Sequence, residues 1–278
     1  MTMEKTGQMY EKFLEEYGSD DAVNKYTTGT AGFGIKYLLR NDYARVYLSV
    51  VDSYLKTSPT LPVRLLEFGC GGGMNIISLV SLLEDKGIPV EYAYGTDFSS
   101  RLVHVAEEEA KAGLSAGLAG KVKFHVARNE RLLEDLAAAC SRPVEDLAGF
   151  FDLIVGVNTF RYCHRLGKAQ DSAADIFRLL SPGGVCIIID MNNRFPAFRS
   201  RFKDSAQESA ECYLPTLEEY ASPLETVGFE IVRKANFCWI PHSAGVALTR
   251  CCRLLSPLLN LVAPSRAMRS LVVARKPA

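Results

Sequence analysis

The sequence predicts an α/β fold built on a doubly wound, mostly parallel β-sheet, and two features carry that prediction. Apolar, β-branched runs that end in small or polar residues alternate along the chain with stretches of helical periodicity. Near-continuous apolar runs of this kind are typical of strands that are buried on both faces, as in a parallel sheet. The chain has 278 residues and is 48% hydrophobic, which is enough to form one large core.

Five strand-like runs follow one another in the first two thirds of the chain. They are VRLLEFGC at 63–70, VEYAYGTDFS at 90–99, VKFHVAR at 122–128, FDLIVGVN at 151–158 and GVCIIIDMN at 184–192. The intervening segments predict crossover helices over 99–112, opened by a serine cap, and over 171–180, ended by the sequence SPGG. A further helix and strand are predicted within 214–240, and a last strand over 269–276.

Residues 1–60 differ in character from the rest and are predicted to form an N-terminal helical lid or substrate-binding element. An amphipathic start precedes a polar, glycine-rich loop that contains Tyr26, and a helical segment follows. A flexible loop between helices is typical of an active-site lid, with an ordinary connector as the alternative. The helical spacing places three tyrosines on one face and predicts that they belong to the core: Tyr43, Tyr47 and Tyr54.

Charge and cysteine content argue against several classes of protein. Lys and Arg number 32, as do Asp and Glu, so the net charge of zero indicates no nucleic-acid partner. The eight cysteines form no CxxC pair or Cys/His cluster, so we expect reduced thiols and no metal site. The acidic start lacks the apolar segment of a secretory signal, and no apolar run reaches the length of a bilayer. The predicted location is the cytoplasm.

Two segments, 193–215 and 241–266, are predicted to vary and to face the substrate. The first interleaves arginines with phenylalanines, and the second carries leucines at helical spacing in a tail that has no acidic residue after Glu230. The pair Ser256–Pro257 predicts a cap and first turn, and therefore two short helices. A basic, leucine-rich wall suits an anionic or apolar substrate, or a membrane surface contacted through residues 244–263. A solvated face over an ordinary core helix is the alternative.

The stretch LLEFGCGGGMN places Glu67 and a glycine-rich turn directly after the first strand. The turn has glycines at alternate positions, Gly69, Gly71 and Gly73. They allow the backbone to bend sharply and to approach a ligand closely. A P-loop needs Lys and Ser or Thr after the last glycine, and a dinucleotide fingerprint needs a glycine where Met74 stands. Asp97 ends the second strand, where a carboxylate can accept ribose hydroxyls. The pattern indicates a cofactor with ribose and without phosphate.

In these motifs the sequence resembles the class I S-adenosylmethionine-dependent methyltransferases. The family's ExGxGxG motif is matched by EFGCGGG, its acidic end of strand two by Asp97, and its strands four and five by FDLIVGVN and LLSPGGVCIIID. The resemblance runs from about Val63 to Asn192. It implies a Rossmann-like, doubly wound seven-stranded sheet, mostly parallel with an antiparallel last strand, in a methyltransferase domain over 61–278. It also implies S-adenosyl-L-methionine as the cofactor and S-adenosyl-L-homocysteine as the product.

By the same resemblance, cofactor-binding roles fall on Glu67, Gly69, Cys70, Gly71, Gly73, Asp97, Phe98, Asn129 and Asn158. In the family the glycine turn lies beside the methionyl part of the cofactor, the strand-two acid binds the ribose, and the next residue packs on the adenine. One position departs from the pattern. Strand three ends in VARNERL, and Arg128 cannot accept a hydrogen bond from the adenine amino group. We expect Asn129 or Glu130 to take that role.

The acceptor is expected beyond the fourth and fifth strands, in NTFRYCHRLG and DMNNRFPAF. Tyr162 and His164 are the candidates for a catalytic base or orienting group, with a merely solvated histidine as the alternative. Methyl transfer from a sulfonium mainly requires alignment of the nucleophile and exclusion of water. The candidate substrate-binding residues are Tyr26, Phe160, Arg161, Asn192 and Arg194.

The sequence therefore predicts an enzyme that transfers a methyl group to an O, N or C nucleophile of a small molecule, such as a secondary metabolite. A lipid or isoprenoid-quinone methyltransferase that uses the leucine-rich tail is the alternative within this class. An NAD-dependent oxidoreductase and a non-catalytic cofactor-binding protein are the alternatives outside it. Monomer and homodimer both remain open.

Overall fold

The computed structural model describes residues 31–55, 62–196 and 214–278, together with the single positions 11, 15 and 19. This part of the chain contains one seven-stranded sheet. Its strands are β1 Val63–Phe68, β2 Val90–Asp97, β3 Val122–Val126, β4 Phe151–Val157, β5 Leu180–Met191, β6 Glu230–Phe237 and β7 Arg269–Arg275. The predicted doubly wound sheet is confirmed.

The strand order is β3-β2-β1-β4-β5-β7-β6, and β7 alone runs in the direction opposite to the other six strands of this described sheet. The chain winds outward in one direction through β2 and β3, and in the other through β4 and β5. Ligands bind at such a switch point, beyond the carboxyl ends of the central strands. Because β7 is antiparallel, its first residue, Arg269, lies opposite Met191 at the carboxyl end of β5.

Helices cover both faces of the sheet. They are α1 Phe33–Leu38, α2 Ala44–Val50, α3 Met74–Asp85, α4 Ser100–Gly113, α5 Ala116–Ala119, α6 Leu132–Ala139, α7 Phe160–Arg165, α8 Ala169–Leu179, α9 Leu217–Thr226 and α10 Val246–Val262. Two π-helical turns, Leu39–Tyr43 and Val51–Leu55, follow α1 and α2. Short 3-10 turns occupy Asn129–Arg131, Val144–Leu147 and Pro264–Arg266.

The core consists of two clusters, one on each face of the sheet. Neighbouring strand residues point to opposite faces, so Leu65 enters one cluster and Leu66 the other. The first cluster also contains Tyr43 and Tyr47, which are fully buried, with Tyr54 packed against it. The prediction that these tyrosines belong to the core is confirmed. Residues 33–55 therefore share the core of the sheet, and the boundary at residue 60 stays a prediction.

Side-chain caps fix the start of two helices, and the first of them, at Ser99, confirms the predicted serine cap. Ser99 caps α4, because its Oγ accepts a hydrogen bond from the Leu102 backbone N–H at 3.4 Å. At α9, Thr216 and Glu219 form a reciprocal capping box. Each cap satisfies amides that a helix start leaves without a partner, and each fixes where its helix begins.

The prediction of two short C-terminal helices is wrong. A single helix, α10, continues through Pro257. Ser256 does not cap a new helix, because its Oγ donates to the Cys252 carbonyl one turn earlier, at 2.7 Å. A proline inside a helix removes one backbone hydrogen bond, and the unbroken helix accommodates that loss. None of the helices in the described residues has the length and apolar character that crossing a membrane requires.

Candidate active site

The glycine turn between β1 and α3 depends on left-handed backbone geometry. Gly69, Gly71 and Gly73 have φ angles of +62°, +54° and +79°, values that side chains with a Cβ rarely adopt. A Cβ on Gly69 would lie 1.9 Å from the Thr159 Oγ1. The turn therefore packs directly against the residue that precedes α7, which brings the ends of β1 and β4 together. The predicted role of these glycines in the bend is confirmed.

Asp97 is tied to the glycine turn by two backbone hydrogen bonds. Its Oδ2 accepts from the Gly71 N–H at 3.0 Å, and its Oδ1 accepts from the Ser99 N–H at 2.9 Å. Burial raises the pKa of the carboxyl to about 6, and the two amides oppose that rise. A carboxylate oxygen has two lone pairs, so each oxygen keeps one acceptor position for a ligand. The geometry suits the pair of adjacent hydroxyls of a ribose.

Glu67 lies in a buried polar chain behind the turn. Asn75 donates to its Oε1 at 2.9 Å, and the Tyr47 hydroxyl donates to the Asn75 Oδ1 at 2.8 Å. Burial raises the pKa of Glu67 to about 8. The Oε2 atom has no hydrogen-bond partner among the described residues. A buried acceptor without a partner is costly, so this atom suits a ligand that brings a donor or a positive charge.

The remaining predicted cofactor residues lie around this turn. Cys70 is buried, and burial raises the pKa of its thiol, which keeps it neutral. Asn129 donates from Nδ2 to the Thr159 Oγ1 at 2.6 Å. Arg128 forms a bidentate pair with Asp135, with distances of 2.8 and 3.0 Å. Phe98, directly after Asp97, is half-buried. The adenine assignments stay predictions.

Asn158, immediately after β4, has a left-handed backbone with φ +55°. Its side-chain Oδ1 accepts from Nη1 of Arg269 at 3.1 Å, and its N–H donates to the Ile189 carbonyl at 2.7 Å. Residues other than glycine in this conformation concentrate at functional sites. Arg269 is 1% exposed, and its Nε has no hydrogen-bond partner among the described residues.

Arg161 and Asp190 form a buried charged pair next to Asn158. The Arg161 N–H donates to the Asp190 Oδ2 at 3.0 Å, and Nη1 lies 4.0 Å from Oδ1. Burial raises the pKa of Asp190, whereas Arg161 lowers it. The Arg161 guanidinium stacks on the Tyr162 ring at 4.7 Å and donates to its hydroxyl at 2.6 Å. Arg161 therefore orients Tyr162, and the substrate and base roles predicted for this pair stay predictions.

His164 lies between two aromatic rings. The Phe160 ring packs edge-on at 5.0 Å, and the Tyr220 ring packs edge-on at 5.5 Å. Burial lowers the pKa of His164 to about 4, so the imidazole is neutral at pH 7. These contacts favour a packing role over a solvated one, and the catalytic role stays a prediction. Phe160 itself has no exposed surface and packs on Phe68, and its assignment as a substrate contact stays a prediction.

Asn192 directly follows β5. Its Nδ2 donates to the carbonyls of Ser265 and Ala267, at 2.9 and 2.6 Å, and its Oδ1 accepts from the Arg194 N–H. The buried side chain joins the end of β5 to the approach of β7, and its substrate role stays a prediction. Arg194 is exposed and stays a candidate. Tyr26 lies outside the described residues.

Sequence reasoning missed several residues of this edge. Arg269 comes from β7, more than one hundred positions from its partner Asn158. Tyr43 approaches from the first π-turn, and its hydroxyl lies 3.1 Å from the His242 Nε2. Asp190 was visible only as the polar end of an apolar strand. A cation at the start of the apolar strand RSLVVARK was the single available signal for Arg269.

Comparison with known proteins agrees with this geometry. A family model described as a methyltransferase domain matches residues 39–234, well over half of the chain. The citrinin polyketide synthase of Monascus ruber is 30% identical over 135 residues. That match covers 49% of this chain but only 4% of the synthase, so the chain spans a small part of this much longer relative.

Two solved structures share the fold. The CMeT domain of the citrinin polyketide synthase has a TM-score of 0.60 at 19% identity, over 94% of this chain and 58% of that one. Geranyl diphosphate C-methyltransferase from Streptomyces coelicolor, in complex with Mg2+, geranyl diphosphate and S-adenosyl-L-homocysteine, has a TM-score of 0.55 at 15% identity. That match covers 87% of this chain and 82% of the other. At these identities the likeness concerns the fold alone.

Proposed function

The chain belongs to the family of methyltransferase domains, and on that premise we propose that it methylates a carbon atom of a small molecule, with S-adenosyl-L-methionine as the methyl donor. The observation that carries the proposal is the joined glycine turn and Asp97, with the Glu67 Oε2, which has no hydrogen-bond partner among the described residues, behind them. When bound, the cofactor supplies an activated methyl group on a cationic sulfonium.

The residues of the β1–β2 edge fit such a cofactor. Asp97 accepts the ribose hydroxyls through the lone pairs that Gly71 and Ser99 leave open. The glycine turn offers a backbone without side chains to the methionyl part. Glu67 accepts a hydrogen bond from the cationic amino group, directly or through water, because its Oε2 has no other partner among the described residues. Two carboxyls in one buried site favour a cationic ligand.

Carbon is the proposed acceptor because the neighbouring part of the same edge, at the ends of β4 and β5, is rich in positive charge. Arg161 and Arg269 are buried beside a single carboxylate, Asp190. A carbon nucleophile next to a carbonyl becomes an enolate when its proton passes to water, and buried cations and hydrogen-bond donors stabilise the negative charge of the enolate. The similarity to a polyketide synthase and to the fold of carbon methyltransferases supports the same acceptor class. A β-ketoacyl thioester is therefore the proposed type of substrate.

The test is methyl transfer to a defined probe. Wild-type protein, S-adenosyl-L-methionine with an isotope-labelled methyl group, and a β-ketoacyl N-acetylcysteamine thioester are incubated together. We expect the label on the carbon between the two carbonyl groups, located by nuclear magnetic resonance of the product. Binding of the cofactor with methylation confined to hydroxyl or amine probes would refute the carbon acceptor.

Asp97→Asn tests the cofactor half of the proposal. It keeps one oxygen and replaces the other with an amide, so at least one ribose bond is lost. We expect cofactor affinity to fall by about 1–3 kcal/mol. Asp152→Asn is the matched control, since Asp152 is the second residue of β4, at the amino end of the strand, and pairs with Arg64. Equal affinities for the wild type and Asp97→Asn would exclude the ribose role.

A further inference from the structure

Helix α10 packs on the protein with its more polar side. The residues that face the body recur at helical spacing, and all but one are small or polar: Thr249, Cys252, Ser256 and Leu259. Thr249 is the only fully buried residue of the helix. A surface helix normally does the reverse and buries its apolar stripe. Helix α10 therefore presents its apolar residues outward.

The outward face of α10 holds most of the exposed large apolar side chains of the described residues. These are Val246, Leu248, Leu254, Leu255, Leu258, Leu261 and Val262, with Phe33 and Val126 elsewhere. Leu254 is 77% exposed, Leu258 57% and Leu261 80%. At 100° per residue the exposed leucines cover one continuous sector; Arg250 lies at its border, and Arg253 lies farther round the helix on the same side. Contiguous exposed apolar surface of this kind marks an interaction site.

The two described elements that pack most on α10, like the helix itself, carry charges of one sign. Helix α10 contacts α1 and the turn Pro264–Arg266. These three elements carry exposed cations at Lys36, Arg250, Arg253 and Arg266, and none of them contains an acidic residue. An apolar face bordered by cations is complementary to a partner that has negative charge at its surface and an apolar interior beneath it.

We propose that α10 docks on the surface of an anionic lipid bilayer, with its leucines among the acyl chains and its arginines at the phosphates. A second copy of the chain fits less well. A two-fold interface through the same face would bring the same cations together without acidic partners from the contacting elements. The proposal rests on the helix alone and is independent of the reaction proposed above.

The protein contains an intrinsic fluorescent probe for contact between α10 and a bilayer. Trp239 is its single tryptophan, and its Nε1 donates to the Asn260 Oδ1 of α10 at 2.7 Å. Full-length protein is titrated with vesicles of phosphatidylcholine alone, or of phosphatidylcholine mixed with phosphatidylglycerol. We expect a blue shift of tryptophan emission and co-sedimentation with the mixed vesicles, both weakened by salt. Absence of both signals, or equal binding to neutral vesicles, overturns the proposal.

Two sets of substitutions separate the apolar from the charged contribution to vesicle binding. Leu254→Ser combined with Leu258→Ser and Leu261→Ser should weaken binding to mixed vesicles by at least about tenfold, since buried leucines contribute through apolar area. Arg250→Gln combined with Arg253→Gln should weaken it by about tenfold or more. Both sets alter exposed side chains, so the thermal unfolding midpoint should remain that of the wild type.

Two control variants and a measurement of the oligomeric state complete the test of vesicle binding. Val126→Ser removes an exposed apolar side chain outside α10, and Lys111→Gln removes an exposed cation on α4. Neither should change vesicle binding. Sedimentation velocity distinguishes a protein interface. A wild-type dimer that the serine variant converts to monomer, without vesicle binding by the wild type, would overturn the lipid proposal in favour of a second copy.

Discussion

Two parts of the sheet's carboxyl edge carry opposite charge. At the ends of β1 and β2 the buried ionisable groups of the described residues include two carboxyls, Glu67 and Asp97. At the ends of β4 and β5, beside the start of β7, two buried arginines accompany the one carboxylate Asp190. The pKa of each of these three carboxyls is raised mainly by burial, but only Asp190 has arginines that lower it.

The difference assigns the two partners of a methyl transfer to the two parts of the edge. The acidic part suits a cationic donor, and the basic part suits an acceptor that becomes negative. The two parts meet where Thr159 contacts Gly69. Substitutions that alter one of the two parts and leave the other unchanged test this division.

The largest effect is expected where the two parts meet. Gly69→Ala combines an unfavourable φ of +62° with a Cβ that would lie 1.9 Å from the Thr159 Oγ1. We expect the free energy of unfolding to fall by roughly 2–5 kcal/mol, measured by chemical denaturation. Gly87→Ala is the matched control, because its φ is +70° but no atom lies within 4 Å of its Cβ. Equal losses in both variants would contradict a close contact between the two parts.

The acidic part should contribute to the pH dependence of the free energy of unfolding. Glu67 has a pKa of about 8 in the folded state against an ordinary value of 4.5. Between these values the folded protein keeps a proton that the unfolded chain loses. Stability should therefore fall as pH rises through this window, by at most about 1.4 kcal/mol per pH unit. Glu67→Gln should remove this component, and an unchanged pH profile would contradict the burial of an uncompensated carboxyl.

The basic part is tested by Arg269→Met, whose effect is expected to be smaller and confined to the acceptor step. The change removes the donor to Asn158 and the cation near Asp190. We expect turnover with the thioester probe to fall about tenfold or more while cofactor affinity stays unchanged, and Arg269→Lys to recover part of the loss. Arg275→Met, at the far end of β7, is the control. Loss of cofactor affinity in Arg269→Met would contradict the assignment of the methyl donor to the acidic part and of the acceptor to the basic part.

The acidic part was accessible to sequence reasoning, because its residues belong to short motifs. Gly69 to Gly73 and Glu67 lie within one turn of the chain, and Asp97 ends the next strand. Local chemistry and strand order are enough to bring these residues together at one edge. The parallel sheet was predictable for the same reason, since each buried strand is a continuous apolar run.

Asn158 and Arg161 of the basic part were named from the sequence, but their buried partners Arg269 and Asp190 were not accessible in this way. Arg269 reaches Asn158 only because β7 inserts antiparallel beside β5, a pairing of distant segments. Phe160 and Asn192 were assigned to substrate from their positions after strands, and their packing and hydrogen-bond partners were likewise not accessible. Helix α10 was divided at Pro257 because the rule for proline is local, whereas the helix is continuous.

The most direct test of the account is a calorimetric titration with S-adenosyl-L-homocysteine near pH 7, repeated in buffers of different ionisation enthalpy. We expect binding with release of protons, because the ammonium group of the ligand favours the ionised form of Glu67. Glu67→Gln should bind with less proton release, and Asp97→Asn should bind more weakly. Absence of binding to S-adenosyl-L-homocysteine, with tight binding of NADH instead, would contradict the account.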